Sequence, residues 1–338
     1  MRDESSVTAP GSVTAGRAAG LALGALGVVG FSMSLPATRV AVQQLDPWFV
    51  AFGRAVGAAL LAGAYLWVVG AARPTRDQWR RLCVVALGVV VGFPLFTSLA
   101  LRHQSSAHGA VVITLLPAVT AVFAVLRAGE RPPRPFWLAS AGGLLAVLSF
   151  LAASGAVHGG PSPADLFLLA AVVLCGLGYA EGGALARDLG GARTICWALL
   201  LALPVTVPVT VLAGVAHPPT ADATTWAAFG YLTVVSMFLG FVAWYAGLAR
   251  GGIARVGQVQ LAQPVLTLVW SALLLGERVT PASVAAAVVV LACVAVIQRS
   301  RQAGRPARGA RATPLAGLVS GVRVPAVLPR RSRSSNRG

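Results

Sequence analysis

Residues 117–131 read PAVTAVFAVLRAGER, and residues 264–278 read PVLTLVWSALLLGER. Each stretch begins with a proline, runs through apolar residues and ends in Gly-Glu-Arg at the same distance from that proline. The two stretches lie 147 positions apart (264 − 117). Two copies of one pattern in a single chain indicate an internal repeat, and therefore a fold built from two related halves.

The repeat extends well beyond these two stretches. At the offset of 147, Ala107 matches Ala254, and at an offset of 148, Gly30-Phe31-Ser32 matches Gly178-Tyr179-Ala180. The first apolar run of the chain therefore corresponds to the sixth, and the fourth corresponds to the ninth.

The composition requires lipid as solvent for most of the chain. Of its 338 residues, 57% are hydrophobic and 11% are charged, whereas soluble domains are about 25% charged. An apolar run of about 20 residues is long enough to cross the hydrocarbon core. We predict an all-α integral membrane protein with ten transmembrane helices, at residues 18–38, 48–70, 82–101, 107–127, 135–153, 165–186, 194–214, 225–248, 254–275 and 280–298.

The positive charge comes from arginine alone. The chain has 27 basic residues, all Arg, and a net charge of +17, but ten of these Arg follow residue 298 and most others lie in short links between apolar runs. This placement fits membrane orientation better than a nucleic-acid-binding face. Since the chain has no lysine, it can have neither a P-loop lysine nor a Schiff base on lysine.

Four dispersed cysteines without a C-x-x-C pair predict neither disulfides nor a metal site, and we expect no cofactor.

Alternate links differ strongly in arginine content. With the N-terminus inside, the outside links hold only Arg39, Arg102 and Arg278. This asymmetry predicts that both termini are cytoplasmic and that the protein is a multi-pass protein of the inner membrane. Since each repeat has five spans, an odd number, the second repeat is inverted relative to the first. The predicted division is a tail at 1–17, a first repeat at 18–153, a linker at 154–164, a second repeat at 165–298 and an Arg-rich disordered tail at 299–338.

This plan resembles the EamA-type transporters of the drug/metabolite transporter superfamily. The resemblance depends on the paired motifs, Pro117 to Gly129-Glu130 and Pro264 to Gly276-Glu277, and on Arg54 in the second span. It covers roughly residues 18–298. It implies export of small metabolites or drugs, a group of substrates too broad to narrow further from the motif. In the related small multidrug resistance proteins, the coupling glutamate lies in the first span, which is the repeat counterpart of the span that holds Glu181.

Two ionisable residues fall inside predicted spans, where a charge costs about 2.5–3.5 kcal/mol on insertion scales. Glu181 lies in the sixth span and Arg54 in the second. One hypothesis makes Glu181 a proton- or cation-binding carboxylate, although its repeat counterpart is Met33. The alternative is a buried structural pair between Glu181 and Arg54, or two side chains that reach the interface. For Arg54 we favour a structural role.

Further candidates are uncharged. Gln260 and Gln263 share a helix face before Pro264 and could line a polar cavity or hydrogen-bond between helices. Trp244 and Tyr245, and Tyr179 beside Glu181, could form cavity walls or pack in the interior. Glu130 and Glu277 are expected to fix turns through local backbone or Arg donors, and to mark the fold more than the chemistry.

Three functions remain open from the sequence. The first is a secondary exporter that works by alternating access, with a small-molecule substrate, membrane lipids and protons as partners. The second is a channel or passive facilitator. The third is a membrane-embedded enzyme, which is disfavoured because H-E-x-x-H, a nucleophile elbow and paired transmembrane aspartates are missing from the sequence. A homodimer is a further prediction.

Overall fold

The computed structural model describes residues 10–128, 134–158, 162–251, 256–257 and 259–303. These residues form helices and short connections, with no β-strand among them. Within these described ranges, seven helices are long and apolar enough to cross a membrane, and three shorter apolar helices lie at Trp137–Phe150, Ala262–Leu275 and Pro281–Cys293. Each predicted window overlaps one of these ten helices, so the predicted all-α membrane fold is confirmed.

We number the ten spans α1 to α10. Several are interrupted, and their helical pieces are Pro10–Ser32 and Ser34–Gln44 (α1), Pro47–Val68 (α2), Arg76–Val85, Ala86–Gly92 and Phe93–Leu101 (α3), Ser106–Ile113 and Leu116–Ala128 (α4), Arg134–His158 (α5), Pro163–Leu189 (α6), Gly191–Ala216 (α7), Ala223–Tyr231, Leu232–Leu239 and Gly240–Gly251 (α8), Ala262–Leu275 (α9) and Pro281–Ala303 (α10).

The helix contacts follow the internal repeat. In the repeat, α1 corresponds to α6, α3 to α8 and α4 to α9. The contact between α1 and α8 therefore has its equivalent in the contact between α6 and α3. In the same way, the contact between α4 and α6 has its equivalent in the contact between α9 and α1. The pairs α2–α7, α4–α9 and α5–α10 join counterparts directly. A two-fold relation between the halves produces this set of pairs, as expected for inverted repeats.

Glycines allow the closest helix contacts. The Gly20/Gly24 motif of α1 packs on Gly247 and Gly251 of α8, and a Cβ atom at Gly247 would lie 2.7 Å from the Gly24 nitrogen. In the corresponding pair, a Cβ atom at Gly88 of α3 would lie 2.5 Å from the carbonyl oxygen of Leu174 on α6. Small residues at these positions let backbones touch, which is how helices associate tightly in lipid.

Two spans are broken near their middles, and a third break lies just before α9. The breaks fall at Met33 in α1, at Thr114–Leu115 in α4 and at Gln260–Leu261 before α9, and a proline follows each within three residues. Proline has no N–H and leaves the carbonyl four residues earlier without its helical donor. The Ser32 carbonyl, four residues before Pro36, instead accepts a hydrogen bond from Thr267 Oγ1 of α9 at 2.8 Å. The break in α1 thereby bonds one repeat to the other.

Two further spans contain π-helix. The segments are Ala86–Gly92 in α3 and Leu232–Leu239 in α8. They are repeat counterparts, because an offset of 147 moves 86–92 onto 233–239. A π-helical turn widens the helix and is frequent at functional sites. Because matching π-segments occur in both halves, the region between them is the candidate position of a functional site.

Candidate functional site

A cavity lies between the two repeats, at the level of the helix breaks and π-segments. Helices α1, α2 and α3 form one side and α6, α8 and α9 the other. Its volume is about 20 Å³, which holds a water molecule but not a metabolite. The lining residues are Phe31, Ser34, Leu35, Arg54, Val89, Phe93, Tyr179, Ser236, Met237, Phe241 and Gln263.

Arg54 brings a full charge to this cavity. Its side chain is 1% exposed, and its Nε atom has no hydrogen-bond partner among the described residues. Gln263, 5% exposed, lines the same cavity, and its Oε1 atom also lacks a partner there. Buried polar groups are almost always hydrogen-bonded, so these two atoms are available to a ligand or to water.

Two serines cross the cavity from one repeat to the other. Ser34 Oγ of α1 and Ser236 Oγ of α8 are 2.7 Å apart, within hydrogen-bond distance. Ser236 lies in the second π-segment, and its counterpart at the offset of 147 is Val89, which also lines the cavity. The cavity therefore lies on the pseudo-two-fold axis, with chemistry that differs between its two sides.

An aromatic cluster forms one end of the cavity. It consists of Phe31, Tyr179, Phe241, Trp244 and Tyr245, and the ring centroids of Phe31 and Phe241 are 4.8 Å apart. Phe31 and Tyr179 are repeat counterparts with centroids 6.3 Å apart. Tyr245 donates a hydrogen bond to the Gly178 carbonyl at 3.2 Å. Trp244 and Tyr245 lie in this cluster behind the cavity lining.

Glu181 lies beyond the aromatic cluster, towards the end of the bundle where the links are rich in arginine. We call this the arginine-rich end. The Glu181 carboxylate is buried and forms an ion pair with the guanidinium of Arg81 on α3. Arg81 also lies 3.8 Å from the exposed Asp188. The alternative of a Glu181–Arg54 pair is therefore wrong, since Glu181 faces α3 while Arg54 faces the cavity.

Glu277 closes the opposite end, which we call the Glu277 end. Its carboxylate accepts hydrogen bonds from the backbone N–H groups of Ser106 at 3.0 Å and Ala107 at 2.8 Å, and from Ser106 Oγ at 2.8 Å. Ser106 Oγ also meets Ser271 Oγ at 2.7 Å. The sequence predicted local backbone or Arg donors for Glu277. Its donors lie instead in the first turn of α4 in the other repeat, where the helix dipole favours a carboxylate.

The backbone conformation at position 276 explains why a glycine precedes Glu277. Its φ angle is +62°, in the left-handed region, and the Glu277 N–H bonds back to the Ser271 carbonyl at 3.2 Å. Such helix ends favour glycine. The turn aims Glu277 at α4. The matching Gly129 and Glu130 lie outside the described residues.

The two glutamines that were predicted to share one helix face differ in the structure, since Gln263 lines the cavity and Gln260 does not. Gln260 is 2% exposed and its Nε2 atom has no partner within the described ranges, but it does not line the cavity. The helix is interrupted at Gln260–Leu261, so the continuous helix face predicted for the two glutamines ends there. Reasoning from the sequence missed Phe31, Ser34, Ser236 and Arg81. The repeat match of Phe31 with Tyr179 was a usable signal for the first of these.

A family model for the EamA-like transporter family matches residues 18–152 and again residues 162–299. The chain belongs to the EamA-like transporter family. It is a membrane transporter, and its two matched segments agree with the two repeats of the structure.

Similar proteins carry the same general description. This EamA-like transporter is 47% identical to an uncharacterised transporter, YdeK, of Bacillus subtilis over 285 residues, which cover 82% of this chain and 96% of YdeK. It is 25% identical over 248 residues to an uncharacterised transporter of Archaeoglobus fulgidus, covering 71% and 83% of the two chains. A crystal structure with 20% identity aligns at a TM-score of 0.59 over 85% of this chain and 99% of that one, which supports the fold.

Proposed function

We propose that this EamA-like transporter is a secondary active carrier that exports small metabolites or drugs across the inner membrane by alternating access. The observation that carries the proposal is the polar cavity on the pseudo-two-fold axis, where π-segments and broken helices of both repeats meet. Discontinuous helices at the interface of inverted repeats are typical of secondary transporters.

Each end of the cavity has its own closure. Towards the arginine-rich end, the aromatic cluster is backed by the Arg81–Glu181 ion pair. Towards the Glu277 end, the carboxylate of Glu277 holds α9 to the start of α4. Two separate closures on either side of one site are what alternating access requires. In the proposed orientation the arginine-rich end faces the cytoplasm, as do both termini, and the repeats are residues 18–153 and 165–298.

Proton coupling is assigned to Glu181 within this proposal. It is a buried acid at the arginine-rich closure, and its ion pair with Arg81 links α3 of one repeat to α6 of the other. A proton that replaced Arg81 as the partner of the carboxylate would release this link. Proton binding and the opening of that end would then be the same event. Small-molecule substrate, lipid and proton are the partners of this scheme, and a homodimer stays a prediction.

The test is transport by purified protein in proteoliposomes, with and without an imposed pH gradient. A thermal-shift screen over amino acids, nucleosides and drugs selects the substrate first. We expect the pH gradient to drive accumulation in the wild type, and Glu181→Gln to abolish it while membrane insertion stays intact. Asp188→Asn is the matched control, since this neighbouring acid on the same helix is exposed and lies 3.8 Å from Arg81.

Two results would count against the scheme. Flux that only follows the concentration gradient of the substrate, whatever the pH gradient, identifies a passive facilitator. Unchanged gradient-driven flux in Glu181→Gln removes this carboxylate from the mechanism.

A further inference from the structure

The charge balance of the cavity is unusual for a chamber enclosed in a membrane protein. Arg54 contributes a guanidinium, and the other residues that line the cavity within the described part of the chain are apolar, aromatic, hydroxyl or amide side chains. No carboxylate stands among them. The buried acid of α6, Glu181, is engaged by Arg81 at the arginine-rich end.

A buried cation without an acidic partner is costly in a membrane interior, and such residues usually pair with one another or with backbone carbonyls. Arg54 is 1% exposed, and its Nε–H has no acceptor in the described residues. The structure therefore contains a donor-rich, positively charged site whose counter-ion is not a described residue of the protein. This position is therefore suited to a partner that enters with the contents of the cavity.

The surroundings of Arg54 restrict the rest of the ligand. Hydroxyl groups come from Ser34, Ser236 and Tyr179, while Phe31, Phe93 and Phe241 provide apolar walls. A planar guanidinium matches the two oxygens of a carboxylate or the oxygens of a phosphate. Aromatic walls suit an apolar body. A cationic ligand would be repelled by Arg54 and would find no acid to neutralise it.

We infer that the substrate is an organic anion, whose carboxylate or phosphate group binds Arg54 while its apolar body packs on the aromatic cluster. This inference rests on the proposed function, and it assigns the substrate class of that same cavity. The cavity as it stands holds about one water, so binding is coupled to a widening of the chamber. The π-segments of α3 and α8 border the cavity and are the elements that widen it.

The experiment uses three probes with one body and different charge: benzoate, benzamide and benzylamine. Uptake and counterflow of each are measured in proteoliposomes with the full-length wild type, and binding is measured by thermal shift in detergent. Phenyl phosphate is a fourth arm that distinguishes a phosphate-selective site from a carboxylate-selective one. We expect benzoate or phenyl phosphate to bind and to be transported at least about tenfold better than benzamide, with benzylamine excluded.

Variants at Arg54 link the selectivity to this residue. We expect Arg54→Gln to weaken anion binding by about tenfold or more and to erase the preference over benzamide. Arg54→Lys keeps the charge and should retain the preference for the anion even if affinity falls. Arg102→Gln, which changes an exposed arginine of a link, is the control and should behave as wild type.

The failure of this inference can be told apart from failure of the proposed function. Transport of benzamide or benzylamine without transport of either anion overturns the anion assignment alone and leaves the carrier intact. Equal anion binding by Arg54→Gln and wild type, with monodisperse protein in both cases, also overturns it. If none of the four probes and no solute of the substrate screen is transported, both the inference and the proposed function are wrong. The comparison of charged and neutral probes on the wild type remains decisive even if Arg54→Gln does not fold.

Discussion

At the scale of single residues, three charged side chains inside the bundle have different surroundings. Glu181 meets a guanidinium from another helix, Glu277 meets backbone N–H groups at the start of a helix, and Arg54 meets a cavity. The first two hold helices of opposite repeats together. The Arg54 Nε atom has no hydrogen-bond partner among the described residues, and the proposed ligand is assigned to it for that reason.

The candidate residues could be found from the sequence, but their partners could not. An ionisable residue in an apolar run is visible in the chain, and this led to Glu181 and Arg54. Arg81 stands immediately before the predicted third span, residues 82–101, where the sequence does not distinguish it from a residue of the preceding link. Only the packing of α3 on α6 shows that it reaches Glu181.

Asp222 permits a pH prediction outside the membrane-spanning segments. It caps α8, and hydrogen bonds from the Thr225 N–H and from the Gln44 side chain lower the pKa of its carboxyl from the ordinary 3.8. A lowered pKa in the folded state means that the charged cap stabilises the fold above the unfolded pKa. This contribution is lost as the pH falls through the lowered value.

The measurement is thermal unfolding in detergent from neutral pH down to below pH 3.8, for wild type and Asp222→Asn. We expect the wild type to be more stable at neutral pH and the difference to shrink as the solution becomes acidic. Asp77→Asn, at another helix start, controls for general acid effects. A stability difference that does not change with pH would show that the charge of Asp222 is not involved.

At the scale of the elements, the length of the apolar runs predicted the ten spans, because the bilayer imposes length and apolarity on any helix that crosses it. The Pro264 break could be anticipated, since proline removes a helical donor. The π-segments could not be predicted. Residues 86–92 and 232–239 are ordinary apolar runs, and a π-helical turn there depends on how α3 and α8 pack, not on local preference.

The glycine contacts give a prediction that belongs to the α1–α8 pair. A Cβ atom at Gly247 would lie 2.7 Å from the Gly24 nitrogen and 2.9 Å from the Gly20 carbonyl oxygen. Since both neighbours are backbone atoms, Gly247→Ala must push the helices apart and should destabilise the protein by about 1–3 kcal/mol.

Gly230→Ala in the same span is the matched control, because nothing lies within 4 Å of a Cβ atom there. There alanine should be neutral or stabilising, as it is the better helix former. Thermal unfolding of the two variants in detergent distinguishes them. Equal stability of both would mean that α1 and α8 do not approach as closely as the structure shows.

At the scale of the whole molecule, the two-fold pattern of helix contacts places one cavity between two closures. The closures differ chemically, with aromatic rings and an ion pair at the arginine-rich end and a capped helix start at the Glu277 end. An odd number of spans in each repeat predicted the inversion from sequence alone. The site itself is asymmetric, since Arg54 has Ala202 as its counterpart at an offset of 148. The proposed recognition of an anion depends on this difference between the two halves.

The central claim is that the two ends open in alternation. It is tested most directly by the accessibility of one thiol, Ser236→Cys in the cavity wall, in a background where Cys83, Cys175, Cys196 and Cys293 are replaced. An impermeant thiol reagent is applied from either side, to intact spheroplasts and to inverted vesicles.

Two variants then loosen one closure each, Glu277→Ala at the Glu277 end and Glu181→Gln at the arginine-rich end. We predict that each variant raises the labelling rate from the side it loosens and lowers the rate from the opposite side. Labelling that rises from both sides, or that stays unchanged on the opposite side, would contradict alternating access and indicate a channel.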